Sequence, residues 1–227
     1  MTGLAPVVPD PEDAAETELS AAFTAMVEHA EFPCLGARSA FRQDRATIHV
    51  YDELGTPEAA AELLSDLTAY AAAIDPAAGF ATFVAMFRGP STNEKDFEDL
   101  LWAQLRLLHR ADDAAWSPEV SADPDDPHFA FSVAGTPFFI VGLHPGASRD
   151  ARRAPVPTLV FNLHEQFQQL RESGLFTRMR DVIRERDIAL QGDLNPMVDD
   201  YGGSTEARQY SGRRVGDDWS APFEEQS

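Results

Sequence analysis

FFIVGLHPGASRDARRAPVPTLVFNLHEQFQQLRESGLFTRMRDVIRERDIALQGDLN, residues 138–195, is the stretch that decides the fold. Its opening run, Phe138 to Leu143, is continuously apolar between Pro137 and Pro145, which predicts a buried central strand. A second run, Leu159 to Phe161 after Pro157, predicts another. Each strand ends beside a histidine, His144 and His164. Between them Arg149, Arg152 and Arg153 form a cationic turn suited to a carboxylate, a phosphate or a propionate. Beyond His164 the pattern becomes helical, and Phe176, Met179, Val182, Ile183 and Leu190 mark one apolar face that Gly192 brings to an end.

Upstream of this stretch, Phe129 to Val133 precedes Ala134-Gly135-Thr136-Pro137, so the first central strand is expected to close a hairpin. Residues 112–127 carry six carboxylates among three prolines and no basic residue, which reads as a solvated loop; a calcium loop lacks its central Gly and closing Glu. Phe97, Leu100, Leu101, Leu105 and Leu108 predict a helix, with Ser91 and Glu94 as its capping box. Phe80 to Phe87 and Thr47 to Tyr51 have strand composition. Leu63, Leu67, Tyr70, Ala71 and Ile74 give a helix between them, begun by Thr56-Pro57. Leu19, Ala22, Phe23, Met26, Val27 and Ala30 give the first helix, followed by a turn over Phe32 to Ala37 and a short helical piece from Ser39. Residues 1–13 are expected to be a flexible tail and 14–227 one domain. Tyr201, Tyr210, Trp219 and Phe223 make the last segment too aromatic for a free tail, so it is expected to lie over the core as an ordered coil. The expected fold is α+β, with a mixed or mostly antiparallel central sheet flanked by helices.

With 44% hydrophobic residues in 227, the chain can bury a substantial core. Its formal charge of −20 repels nucleic acid and anionic membranes, so neither is an expected partner. No apolar segment approaches the roughly 20 residues of a membrane span, and no basic region leads into a signal-type apolar run, so a cytoplasmic location is expected. One cysteine, Cys34, excludes an intrachain disulfide and a multi-cysteine metal site.

Walker, dinucleotide-binding, HExxH, nucleophile-elbow and kinase patterns are all missing, which leaves chemistry to scattered residues. Those able to bind a metal or hold an anion are His144, His164, Glu165, Cys34, His49 and the three arginines. His144 and His164 stand out by lying at strand ends. A non-haem iron triad suits them poorly, because neighbouring His164 and Glu165 do not converge from a regular helix or strand. Haem suits them better: one imidazole as axial ligand, Phe and Leu as walls, and arginines on the propionates. A solvated arginine turn and a buried, inert Cys34 are the plain alternatives.

Four blocks in order, FPCLGARSA (32–40), GLHPGASRDARR (142–153), LVFNLHEQFQQLRESGLFTRMRDVIRERD (159–187) and LQGDLNPMVDDYGGSTEARQYSGRRV (190–215), with Trp219 and Pro222-Phe223 after them, resemble the YqcI/YcgG family. Members with assigned roles are similar to haem-dependent N-hydroxylases of guanidino groups. The resemblance implies haem b (protoporphyrin IX iron), dioxygen, an external electron donor and a small, arginine-like guanidino substrate. It puts His144 forward as the metal ligand, with His164 and then Cys34 as alternatives, and Arg149, Arg152 and Arg153 as propionate partners. His164 would otherwise deliver protons on the distal side, and Glu165 or Glu206 would hold the guanidinium. A haem carrier or sensor, and a haem-free protein binding a small anion, are the other readings.

Overall fold

Leu19, Phe23, Met26 and Val27 bury one stripe of α1 (Glu16–Glu28), the spacing that an amphipathic helix against a sheet requires. In the computed structural model, which describes residues 4–11, 13–90, 93–195, 197 and 204–223, this stripe belongs to one of two core clusters. Leu4 is buried in the same cluster with Ala5 and Val8 beside it, so part of the segment expected as a tail is held by the core.

The turn predicted over Phe32 to Ala37 is shorter than expected, since α2 (Leu35–Arg42) already begins there. Cys34 serves as the N-cap, its Sγ accepting the Ala37 N–H at 3.4 Å. At Gly36, a Cβ would come within 3.3 Å of the Phe80 ring, so the glycine answers a close approach inside the helix.

From there the chain follows the predicted order. β1 (Ala46–Glu53) leads to α3 (Pro57–Ala73), capped by Thr56, and β2 (Thr82–Gly89) leads to α4 (Glu94–Ala111). Asn93 caps α4, its Oδ1 accepting the Lys95 and Asp96 N–H groups at 3.0 and 3.1 Å; Ser91, the expected cap, lies outside the described residues. β3 (Phe131–Val133) and β4 (Thr136–Leu143) form the hairpin, with Ala134 and Gly135 both at positive φ. β5 (Thr158–Leu163) runs directly into α5 (His164–Glu172). Gly174 at φ +71° then separates α5 from α6 (Phe176–Gln191), and α7 (Ala207–Tyr210) is a single turn.

The strands form one open sheet in the order β1-β2-β5-β4-β3. β1 and β2 are parallel, joined through α3, and the other three pairings are antiparallel. This is the α+β fold with a mixed, mostly antiparallel sheet between helices that the sequence predicts. Alternation sends Phe83, Ala85 and Phe87 of β2 to the α3/α4 face and Val84 and Met86 to the α1 face. Tyr210 and Phe223 are buried on the α3/α4 side with Trp219 packed against them, so the last segment does lie over the core; Tyr201 is outside the described residues.

Candidate functional site

After β4 the chain passes through Gly142, where a Cβ would come within 2.8 Å of both Leu101 Cδ1 and the Tyr210 carbonyl oxygen. Only glycine lets α4, β4 and the end of α7 approach this closely. His144 follows, almost fully buried, its ring stacked on Phe97 at 4.5 Å and 20°. The His144 main-chain N–H donates to the Arg152 carbonyl at 3.0 Å, which folds the arginine turn back onto the strand end.

The three arginines are committed within the chain. Arg149 donates to Asp187 at 2.6 Å and to Asp193 at 2.7 Å, both pairs tying the turn to the α6 end. Arg152 donates to the carbonyls of Gly142 (2.8 Å), Gln209 (3.3 Å) and Tyr210 (3.4 Å). Burial lowers its pKa to about 10, against the pull of Asp187, so it remains charged at neutral pH. Arg153 bonds to the Ala147 carbonyl at 2.7 Å and pairs with Asp150 at 2.6 Å. A haem ligated by His144 would have to displace the Phe97 ring and draw these guanidiniums from their partners, so this set fits haem poorly. Cys34 fits no better as a thiolate: burial raises its pKa, outweighing the Ala37 and Gly36 amides and the charge of Arg152.

The end of β5 is different. His164, the first residue of α5, is 3% exposed, and burial, assisted by Arg171, lowers its pKa to about 4. The imidazole is therefore neutral at physiological pH. Arg171 also acts on Glu206, whose pKa burial raises to about 8 despite the Tyr210 hydrogen bond and the Arg171 charge that favour ionisation. Tyr210, fully buried, donates from its hydroxyl to Glu206 Oε1 at 2.6 Å and accepts the Phe131 N–H at 3.2 Å. Burial and the adjacent carboxyl push this phenol well above its ordinary pKa. Phe139 sits 5.8 Å from Phe167 and 6.0 Å from Tyr210, giving the cluster an aromatic wall. Arg171 thus acts on a neutral buried imidazole and on a neutral carboxyl held by a phenol, and the carboxyl, at about 8, is the group able to exchange a proton near pH 7.

Of the residues singled out from sequence, His164 and Glu206 both feel the charge of Arg171 from buried surroundings. Glu165 is different: its side chain is exposed and accepts from Gln169 Nε2 at 3.0 Å on the surface of α5. His49 lies elsewhere, its Nδ1 2.9 Å from Asp66, which also accepts the Tyr51 hydroxyl at 2.7 Å. Arg171 and Tyr210 are additions that sequence reasoning passed over. The signal was spacing: Arg171 follows His164 by two helical turns, and Tyr210 follows Glu206 by one. Among the described residues no group of three or more His, Cys, Asp or Glu side chains converges as a metal site, and no helix is long and apolar enough to cross a membrane.

The YqcI/YcgG family profile matches residues 23–224. Two relatives from Bacillus subtilis (strain 168), the uncharacterised proteins YqcI and YcgG, are each 30% identical to the chain, over 190 and 189 residues; each match covers 79% of this chain and 75% of the relative. No solved structure matches it.

Proposed function

The chain belongs to the YqcI/YcgG family, and from that premise we propose that it is a haem-dependent oxygenase that hydroxylates a nitrogen of a small guanidino compound or related amine, with its chemistry at the His164–Glu206 cluster. The observation that carries this reading is that a neutral buried imidazole and a neutral carboxyl both feel the charge of one guanidinium, Arg171. A haem ligand must be an unprotonated imidazole, and His164 satisfies this where His144 is stacked away and Cys34 stays a thiol. Arg171, its guanidinium 5.8 Å from the centre of the Phe176 ring, supplies the positive charge beside these groups, and Phe139 and Phe167 are the apolar surface. When bound, haem would supply dioxygen activation with electrons from an external donor.

The chain's own part is binding and proton control. Protonated Glu206 can give a proton from the oxygen that Tyr210 leaves unoccupied, and the Tyr210 hydroxyl, donating to Oε1, fixes the carboxyl's orientation. A guanidinium held by Glu206 needs the ionised carboxylate, so binding a cation there expels the proton. Apparent affinity for a guanidino compound is therefore expected to rise with pH up to about 8 and then level off.

The decisive experiment is an absorption spectrum of protein produced with a haem precursor, recorded ferric, ferrous and ferrous with carbon monoxide. A stoichiometric Soret band that is lost in His164→Ala and kept in His144→Ala is the expected result. Loss in His144→Ala alone would move the ligand to the arginine turn, and folded protein without any band would end the haem reading. A haem-loaded protein that leaves guanidino compounds unchanged, given dioxygen and reductant, would be a carrier or sensor.

A further inference from the structure

A second constellation lies beyond the C-terminal turn of α4, in a cleft of about 800 Å³ between that helix, the acidic loop and the final coil. The helix contributes Arg106, His109 and Arg110 to the walls, the loop contributes Asp123 and Asp125, and the coil contributes Phe223. Arg106 is fixed by a hydrogen bond to the Pro222 carbonyl. The His109 ring rests 5.5 Å from both Phe223 and Trp116, so this part of the cleft is rigid and partly aromatic.

The charges do not close on each other. Among the described residues Arg110 and Asp125 line the same cleft, yet neither side chain forms an ion pair or a hydrogen bond. In a chain with 38 acidic and 18 basic residues, Arg149, Arg153 and Arg213 are by contrast each paired with a carboxylate. A simple anion entering the cleft meets Asp123 and Asp125, and a simple cation meets Arg106 and Arg110. A molecule with a carboxylate at one end and an ammonium or guanidinium at the other satisfies both sets of charges at once, with its aliphatic middle over Phe223.

We propose that this cleft is a binding site for a small zwitterion of the amino-carboxylate class. The inference is independent of haem and of the His164–Glu206 reading, since none of those residues lines the cleft.

The test is calorimetric titration of the full, haem-free chain with 5-aminopentanoate, and with cadaverine and glutarate as cation-only and anion-only probes of the same length. The aminocarboxylate is expected to bind about tenfold or more tightly than either single-sign probe. Arg110→Gln should weaken it about tenfold while leaving cadaverine binding no weaker, and Asp125→Asn should weaken it similarly while leaving glutarate binding no weaker. Both positions are exposed, so far-ultraviolet circular dichroism should show the variants folded. Equal binding of all three probes, an aminocarboxylate affinity unchanged in both variants, or no heat at millimolar concentration would overturn the proposal. Failure here would leave the spectroscopic test of His164 untouched.

Discussion

The arginine turn and the His164–Glu206 cluster are both half-buried ends of the same sheet, and they treat ionisable groups in opposite ways. In the turn every guanidinium has an acceptor: Asp187 and Asp193 for Arg149, main-chain carbonyls for Arg152, Asp150 and Ala147 for Arg153. Charge is neutralised by geometry, and the result is attachment. In the cluster charge is suppressed by burial, leaving His164 and Glu206 both neutral at pH 7 with one cation near them. The first arrangement stabilises a fold. The second leaves Glu206, with its pKa of about 8, able to change protonation state near neutral pH.

The contrast breaks most visibly at Arg149. Arg149→Ala leaves Asp187 in a site where the pair is 9% and 14% exposed, and a stability loss of about 3–5 kcal/mol in urea unfolding is expected. A loss under about 1 kcal/mol would mean that the turn is a surface feature after all.

The cluster should instead show itself through pH. Glu206 has a folded pKa of about 8 against 4.5 ordinarily, so the folded state holds a proton that the unfolded chain releases between those values. Its stability contribution is therefore full below about pH 4.5 and is lost as pH rises through about 8. Glu206→Gln keeps an acceptor for Tyr210 and removes this loss, so the variant is expected to be more stable than the parent at pH 9, on the order of 2 kcal/mol. Equal melting temperatures at that pH would show that Glu206 is ionised at little cost.

His164 gives a smaller effect on the opposite limb. Its folded pKa of about 4 lies below 6.5, so the native state resists a proton that the unfolded chain accepts, and stability falls as pH drops from 6.5 towards 4. His164→Gln should flatten that decline by on the order of 1 kcal/mol; an unchanged acid limb would place the imidazole in contact with water. Least affected should be Glu165→Ala, within about 0.5 kcal/mol of the parent in stability and without effect on guanidino affinity. A loss of that affinity would bring Glu165 into the site.

Much of this architecture was legible because period and punctuation agreed. β4 and β5 are apolar runs bounded by prolines, α4 shows its stripe, and Ala134-Gly135 announces the hairpin. The start of α2 was misread because Pro33 and Gly36 are turn residues by type, while the role of Gly36 depends on Phe80, far away in sequence. The same limit governed the site. His164 and Glu206 were chosen individually for their chemistry, but their burial depends on how α5 and α7 each pack against β4, and no local pattern encodes that. The arginines misled for a related reason: composition shows a cationic cluster, while Asp187 and Asp193, its partners, sit at the far end of another helix.

The strand order carries a further consequence for how the molecule is made. β2 takes β1 on one side and β5 on the other, joining Phe83 to Phe161 across the middle of the sheet. A chain emerging from the ribosome can form β1, α3 and β2 early, but the second edge of β2 waits until residue 163 has been synthesised. During that interval Val84 and Met86 lack their final neighbours, and the unpaired edge invites premature partners. Translation pace between α4 and β5 thus bears directly on yield, and slowing it lengthens the exposure of this half-built sheet.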